Sequence, residues 1–367
     1  MSNEKNELKP VQIKMVKWTP ASPPKLALEF LNRPAILPEA EEAARKILND
    51  IRERGDAAVV EATARFDEVK LSPAKFLVTK AERLAAMDKV DANFKKAAAD
   101  ALARVTKFSR AGLRKDWNIL SPKGGMMGEQ FHPLERVGCY IPGGAAPLAS
   151  TAIMTVGLAK VAGVPEIVAC TPAEKNGRVN PFVLYALDLA GATEIYRLGG
   201  IQAIGAMAYG TKTIRSVQKI VGPGGPYVTA AKKLVYGTVD LDLVAGPSEV
   251  AILADDSAVA SHVAADLLAQ AEHGTGLEKA LLVTTSAQLA YAVSEELLKQ
   301  AMELSRRETI HKVLADGTLI VIVDNLDIGM DLCNLFAPEH FEIVVREPRL
   351  WLRKVRRAGA VFIGPWT

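Results

Sequence analysis

From about residue 130 onward, short β-branched runs alternate with alanine-rich runs at helical spacing. "RVGCYIP" reads as a strand, "TAIMTVGLAKVAG" as a helix and "EIVACTP" as the next strand. "NPFVLYALDLAGA", "EIYRLG", "IQAIGAMAYG" and "SVQKIVGPGG" continue the series as helix, strand, helix and strand. This alternation constrains the fold strongly. Parallel strands need a crossover between them, and the intervening helices supply it while covering the faces of the sheet. The pattern restarts after residue 240 with "EVAILAD", "AVASHVAADLLAQAEHG", "KALLVTTS", "AQLAYAVSEELLKQAMELS" and "GTLIVIVD". The chain is therefore α/β, with two parallel-sheet units of similar design at 130–240 and 241–367.

The region before residue 130 has a different texture. "PEAEEAARKILNDIRERG" opens on Pro38 with two nearby acids, keeps Ala43, Ile47 and Ile51 on one face and stops at Gly55, which are helix start, body and stop signals. "KAERLAAMDKV" and "DANFKKAAADALARVTKFSRAG" predict two more helices. Residues 1–129 are thus expected to form an N-terminal helical region that packs with the second unit rather than a domain of its own.

Charge and composition exclude several function classes. The 45 Lys and Arg against 42 Asp and Glu leave a net charge of +3, which gives no electrostatic case for nucleic acid or an anionic membrane. "RKVRR" (353–357) falls on a helical pattern with Leu350, Leu352 and Val355, and is expected to be a solvated face. The start, "MSNEKNELKP", has no apolar signal core, and no uninterrupted apolar run is long enough to span a bilayer. Cys139, Cys170 and Cys333 are widely spaced and odd in number, with no CxxC pair. They predict packing roles and a reducing, cytoplasmic compartment.

Four kinds of stretch could carry chemistry. Glycine-rich turns follow strands at 141–147 ("IPGGAAP"), 198–210 ("LGGIQAIGAMAYG") and 221–228 ("VGPGGPYV"). Glycine lets a backbone approach a ligand, and a following helix N-terminus favours phosphate. None of the turns matches GxGxxG with an acid further on, yet their clustering predicts a crevice at the carboxyl ends of the strands. "AGPSEV" offers Ser248 to a polar substrate, or as a turn serine. In "SHVAADLLAQAEHG", Gln270 and His273 are three apart on one helix face, with Gly274 placed to end the helix. The pair reads as polar surface or as part of a metal site. In "NLFAPEHFEIVV", Pro338 biases Ala337 towards an extended backbone, and Glu339 and His340 set a carboxylate beside an imidazole, two proton-transfer groups. His132, His262 and His311 are given no role.

Taken in order, "ERVGCYIPGGAAPLAST", "EIYRLGGIQAIGAMAYG", "KIVGPGGPYVTAAK", "AGPSEV", "DLLAQAEHG" and "APEHFE" resemble the histidinol dehydrogenase family, and the resemblance runs to residue 367. It implies two Rossmann-like units in an intertwined homodimer. It also implies one zinc per site and oxidation of L-histidinol through the aldehyde to L-histidine, with NAD used twice. Carried onto this sequence, Gln270 and His273 match zinc ligands and Glu339 and His340 match the catalytic pair, and all four match substrate contacts as well. Ser248 matches a substrate contact, and Tyr140 and Gln202 match NAD contacts. The sequence departs from the family in three places. Gly225 stands where the family has Asn. "TGLEKA" follows "AEHG" where the family often has Asp-Pro. "AGAVFIGPWT" ends before a Gly-Asp-Tyr segment and a later tail that supply two further zinc ligands and a substrate-binding glutamate. A second reading therefore stays open: a truncated or divergent paralogue lacking this activity, acting on another amino or hydroxy alcohol, or serving as a nucleotide-binding or interaction protein.

Overall fold

The computed structural model describes residues 11–32, 37–143, 148–244, 246–273 and 275–366. The chain begins with β1 (Lys14–Lys17) and α1 (Lys25–Leu31). It continues through α2 (Pro38–Arg54), α3 (Asp56–Phe66), α4 (Lys80–Met87), α5 (Ala92–Ala111) and a hairpin of β2 (Trp117–Leu120) and β3 (Met126–Glu129). A strand–helix series follows: β4 (Arg136–Tyr140), α6 (Ala149–Val161), β5 (Glu166–Cys170), α7 (Pro181–Ala190), β6 (Glu194–Tyr196), α8 (Gly200–Tyr209), β7 (Lys219–Val221), α9 (Pro226–Val235) and β8 (Asp240–Leu241). The second series is β9 (Glu249–Ala254), α10 (Ala260–Ala271), β10 (Lys279–Thr284), α11 (Ala287–Ala301), α12 (Arg307–Lys312) and β11 (Thr318–Ile322). It closes with α13 (Leu326–Phe336), β12 (His340–Val344), α14 (Pro348–Leu352) and β13 (Ala360–Ile363).

Two compact units result: a central one of residues 36–245, and a terminal one of residues 1–35 with 246–367. The central sheet has five strands in the order β6-β5-β4-β7-β8, the terminal sheet six in the order β1-β11-β10-β9-β12-β13. Every pairing in both is parallel. The expected α/β class with two parallel sheets is what the chain adopts. The inner strands are buried along almost their whole length, as helices on both faces require.

Three expectations are corrected. The helices from Pro38 to Ala111 belong to the central unit, and only residues before Ile36 join the terminal one, where β1 extends the sheet beside β11. The reason is packing: α2 buries Ala40, Ala44, Leu48 and Ile51, and Gly205 of α8 lets Leu48 and Ile51 come so close that a β-carbon there would sit 2.8 Å from Ile51. Residues 117–129 are not helical but form the antiparallel hairpin. "RKVRR" is solvated, but α14 ends at Leu352; beyond it the Arg356 and Arg357 amides donate to Asn334 Oδ1.

In the terminal sheet the even-numbered residues of β9 and β12 face α10 and α11, and the odd-numbered ones face α1 and α13. The three cysteines are buried and unpaired. Burial pushes their thiols up, Cys139 to about 12, so they pack as small apolar groups. Among the described residues, no helix is long and apolar enough to cross a membrane.

Candidate active site

α10 follows β9 and runs back over the sheet, so its C-terminal end returns to the amino edge of the strands. β12 begins at that edge with His340, in register with Val250 near the start of β9. The sequence pattern pointed to carboxyl-edge crevices, but this cluster lies at the opposite edge of its sheet.

Three of the expected residues meet there. Gln270, only 4% exposed on the last turn of α10, places its Oε1 3.2 Å from His340 Nδ1. A glutamine carbonyl accepts, so with Gln270 placed this way the contact is made by the tautomer of His340 that carries its proton on Nδ1 and its lone pair on Nε2. His273 Nδ1 lies 3.1 Å from the Ala269 carbonyl, which also accepts, so Nε2 of His273 carries the available lone pair. Gln270 Nε2 is a looser neighbour, 3.4 Å from the same Nδ1. Ser248 is half-buried two residues before Val250. It immediately precedes β9, and its carbonyl accepts from the Lys279 amide at 3.2 Å, so it stands at the same edge of the sheet as His340.

Glu339 is exposed in the bend before β12. Its backbone is fixed from β13: the Ala360 amide donates to the Glu339 carbonyl at 2.8 Å and the Gly359 amide to that of Pro338 at 3.1 Å. Ala337 is not extended as its proline neighbour suggested. It closes α13 in the left-handed region (φ 52, ψ 59), its amide donating to the Cys333 carbonyl. Ending a helix one residue before the functional loop outweighs the local preference.

Sequence reasoning missed the supports of this cluster. Arg306 donates to the Glu272 carbonyl at 2.6 Å and so caps the negative end of α10. Glu278, fully buried, accepts from the Thr275 amide and hydroxyl at 2.8 and 2.7 Å, holding the chain just beyond His273. The carboxyls of Asp266 and Glu342 meet one turn before Gln270.

Gln270 and His273 were expected to hold zinc. A catalytic zinc normally takes three protein donors and keeps a fourth position open. Here a Gln oxygen and one imidazole nitrogen are present, and that oxygen already faces His340. Among the described residues, no group of three or more His, Cys, Asp or Glu stands together as a metal site. The donor set falls short of a catalytic zinc centre, and Gly274 lies outside the described residues.

The central unit gathers glycine turns at the carboxyl edge of its sheet, after β4, β6 and β7; residues 144–147 of the first lie outside the described set. Tyr140 and Gln202, the expected cofactor contacts, are both here and both buried, Gln202 to 1% exposure. The Gly200 amide donates to the Tyr140 hydroxyl at 3.0 Å. Gln202 donates to Asp67 at 3.1 Å, and burial pushes the Asp67 carboxyl up. Both side chains brace the turn that opens α8. Gly222 has φ 118, and a β-carbon there would fall 2.2 Å from the Tyr140 carbonyl oxygen, so no other residue fits. Asp242 and the buried Lys232 fix the same glycine: its amide donates to Asp242 at 2.7 Å, and Lys232 donates to its carbonyl at 2.8 Å and to Asp242. Gly225, where α9 begins, has open space around it.

Comparison with known proteins agrees with this arrangement. The family model for histidinol dehydrogenase matches residues 33–367. The histidinol dehydrogenase of Symbiobacterium thermophilum is 43% identical over 347 residues, 94% of this chain and 79% of that protein. That of Heliobacterium mobile is 45% identical over 322 residues, 88% of this chain and 75% of that one. The crystal structure of histidinol dehydrogenase from Elizabethkingia anophelis superposes with a TM-score of 0.89 at 34% identity, covering 97% of this chain and 81% of that one. The chain therefore belongs to the histidinol dehydrogenase family, a family of oxidoreductases.

Proposed function

We propose that this protein oxidises L-histidinol to L-histidine through the aldehyde, with His340 as the base. The observation that carries the reading is the His340–Gln270 contact of 3.2 Å. It fixes the imidazole tautomer so that Nε2 can take a hydroxyl proton, which is the state a general base needs. Ser248, at the same edge of β9, supplies a hydroxyl for the polar substrate. Glu339, exposed beside His340, is the carboxylate that deprotonates water for attack on the aldehyde.

The hydride acceptor of the family is NAD, which when bound takes the hydride in each oxidation. The central unit suits a dinucleotide: its turns at Gly199–Gly200 and Gly222–Gly225 open α8 and α9, and their backbone can approach phosphate. Tyr140 and Gln202 would hold that cradle from beneath. Burial keeps the Tyr140 hydroxyl neutral. Gly225 provides no side chain at the start of α9, where the family's Asn would give one more contact. No step is assigned to zinc, because Gln270 and His273 do not complete a centre for it. A homodimer in the cytoplasm is part of the same reading.

The test is NADH formation from L-histidinol by the protein and by its His340→Ala variant. The variant should keep its circular dichroism and thermal melt and lose about 10²- to 10⁴-fold in kcat, the span of a general base. A folded variant with wild-type turnover would remove His340 from the chemistry.

A further inference from the structure

One face of α10 carries His262, Asp266 and Gln270, each about a turn from the next, and His273 follows in the turn just past the helix end. The face of β12 turned towards it carries His340 and Glu342. Two contacts join these rows: Gln270 with His340, and Asp266 with Glu342. The spacing of the rows matches. Four residues of helix rise about 6 Å and two residues of strand about 6.6 Å. The helix runs against the strand, so both contacts can close together.

The second contact brings two acids together. Glu342 is 8% exposed and flanked across the sheet by Ile252 and Phe362. No N–H or hydroxyl donor reaches its buried Oε2. Asp266 is half-buried, and the other titratable group that acts on it is His262 of the same helix, whose ring packs on Trp366 at 4.8 Å. Two carboxylates in contact in an apolar setting cannot both ionise, and a shared proton turns repulsion into a hydrogen bond.

We propose that Asp266 and Glu342 are a positioning pair, in which one proton held between the carboxyls draws α10 onto β12 and keeps Gln270 in register with His340. The proposal rests on the reading of His340 as the base, and it gives neither acid a place on the substrate. Burial and the neighbouring Asp266 raise the Glu342 carboxyl to about 8, so the bridge is closed at neutral pH and opens on the alkaline side.

The experiment combines the pH profiles of kcat and KM for L-histidinol with histidine-ring NMR titrations of the resting protein. It compares wild type, Glu342→Gln and Glu342→Ala. A glutamine amide can donate to the Asp266 carboxylate without a shared proton. Glu342→Gln should therefore keep kcat within about threefold while losing the alkaline fall in kcat and the matching inflection in the His340 resonance. Glu342→Ala should lose about tenfold or more in kcat with KM little changed, as misplaced catalytic groups do. If that variant does not fold, Asp266→Ala, which also breaks the pair, takes its place in the comparison with Glu342→Gln and should show the same loss in kcat. An alkaline inflection at His340 that persists in Glu342→Gln overturns the proposal, as does a folded Glu342→Ala with the wild-type profile. The NMR titration decides the pair even if the wild-type protein leaves L-histidinol untouched, a result that would instead sink the assignment of His340.

Discussion

The ring of His340 is oriented by a side chain seventy positions earlier. Free imidazole divides its proton between two nitrogens, and the Gln270 carbonyl selects one of them. The neighbouring acid pair works by the same logic, with a pH signature that can be measured apart from turnover. Glu342 titrates near 4.5 when unfolded and is raised to about 8 in the fold. Between those values the folded chain holds a proton that the unfolded chain has lost. The stabilisation is therefore complete below that window and disappears as pH rises through it. Thermal melts should show the wild type losing more Tm than Glu342→Gln between about pH 5 and about pH 9. Equal losses would mean that Glu342 titrates as an ordinary exposed carboxylate.

At the scale of elements, the segment carrying Glu339 and His340 is wedged between the end of α13 and the start of β13. Gly359 matters most here, since a β-carbon at that position would lie 2.7 Å from the Glu339 carbonyl oxygen and 3.4 Å from its Cα. Gly359→Ala must displace that backbone. It should cost about 1–3 kcal/mol of stability, the usual penalty for overpacking, and lower kcat more than it raises KM. Wild-type kinetics in this variant would show that the strand edge does not position the pair. Much of this level was readable in the linear sequence. Buried parallel strands are continuous apolar runs, helices between them carry their own start and stop residues, and "APEHFE" and "LLAQAEHG" stood out as polar interruptions of apolar elements. The approach of α10 to β12 was not readable, because it joins residues far apart in the chain. Asp266 and Glu342 passed unnoticed for the same reason: an acid on a helix or strand face reads as solvated until its opposite face is known. The left-handed Ala337 was hidden by the local rule for a residue before proline.

At the scale of the whole molecule, the two units divide the candidate functional groups. The terminal unit holds Ser248, Gln270, His273, Glu339 and His340, and the central unit holds Tyr140, Gln202 and the glycine turns. The repeated strand–helix order predicted two sheets. The helices from Pro38 to Ala111 were harder to place, because an amphipathic stripe shows that a face is buried but not against what. The small residues that admit them, Gly205 above all, are ordinary glycines until the partner helix is in view. The family relationship extends across nearly the whole chain, and the central claim is that the complete two-stage oxidation belongs to this protein. Product analysis tests it most directly, by incubating the purified protein with L-histidinol and excess NAD and quantifying both products. The protein should yield L-histidine and two equivalents of NADH for each L-histidinol consumed. No NADH, or one equivalent with the aldehyde left as product, would contradict the claim.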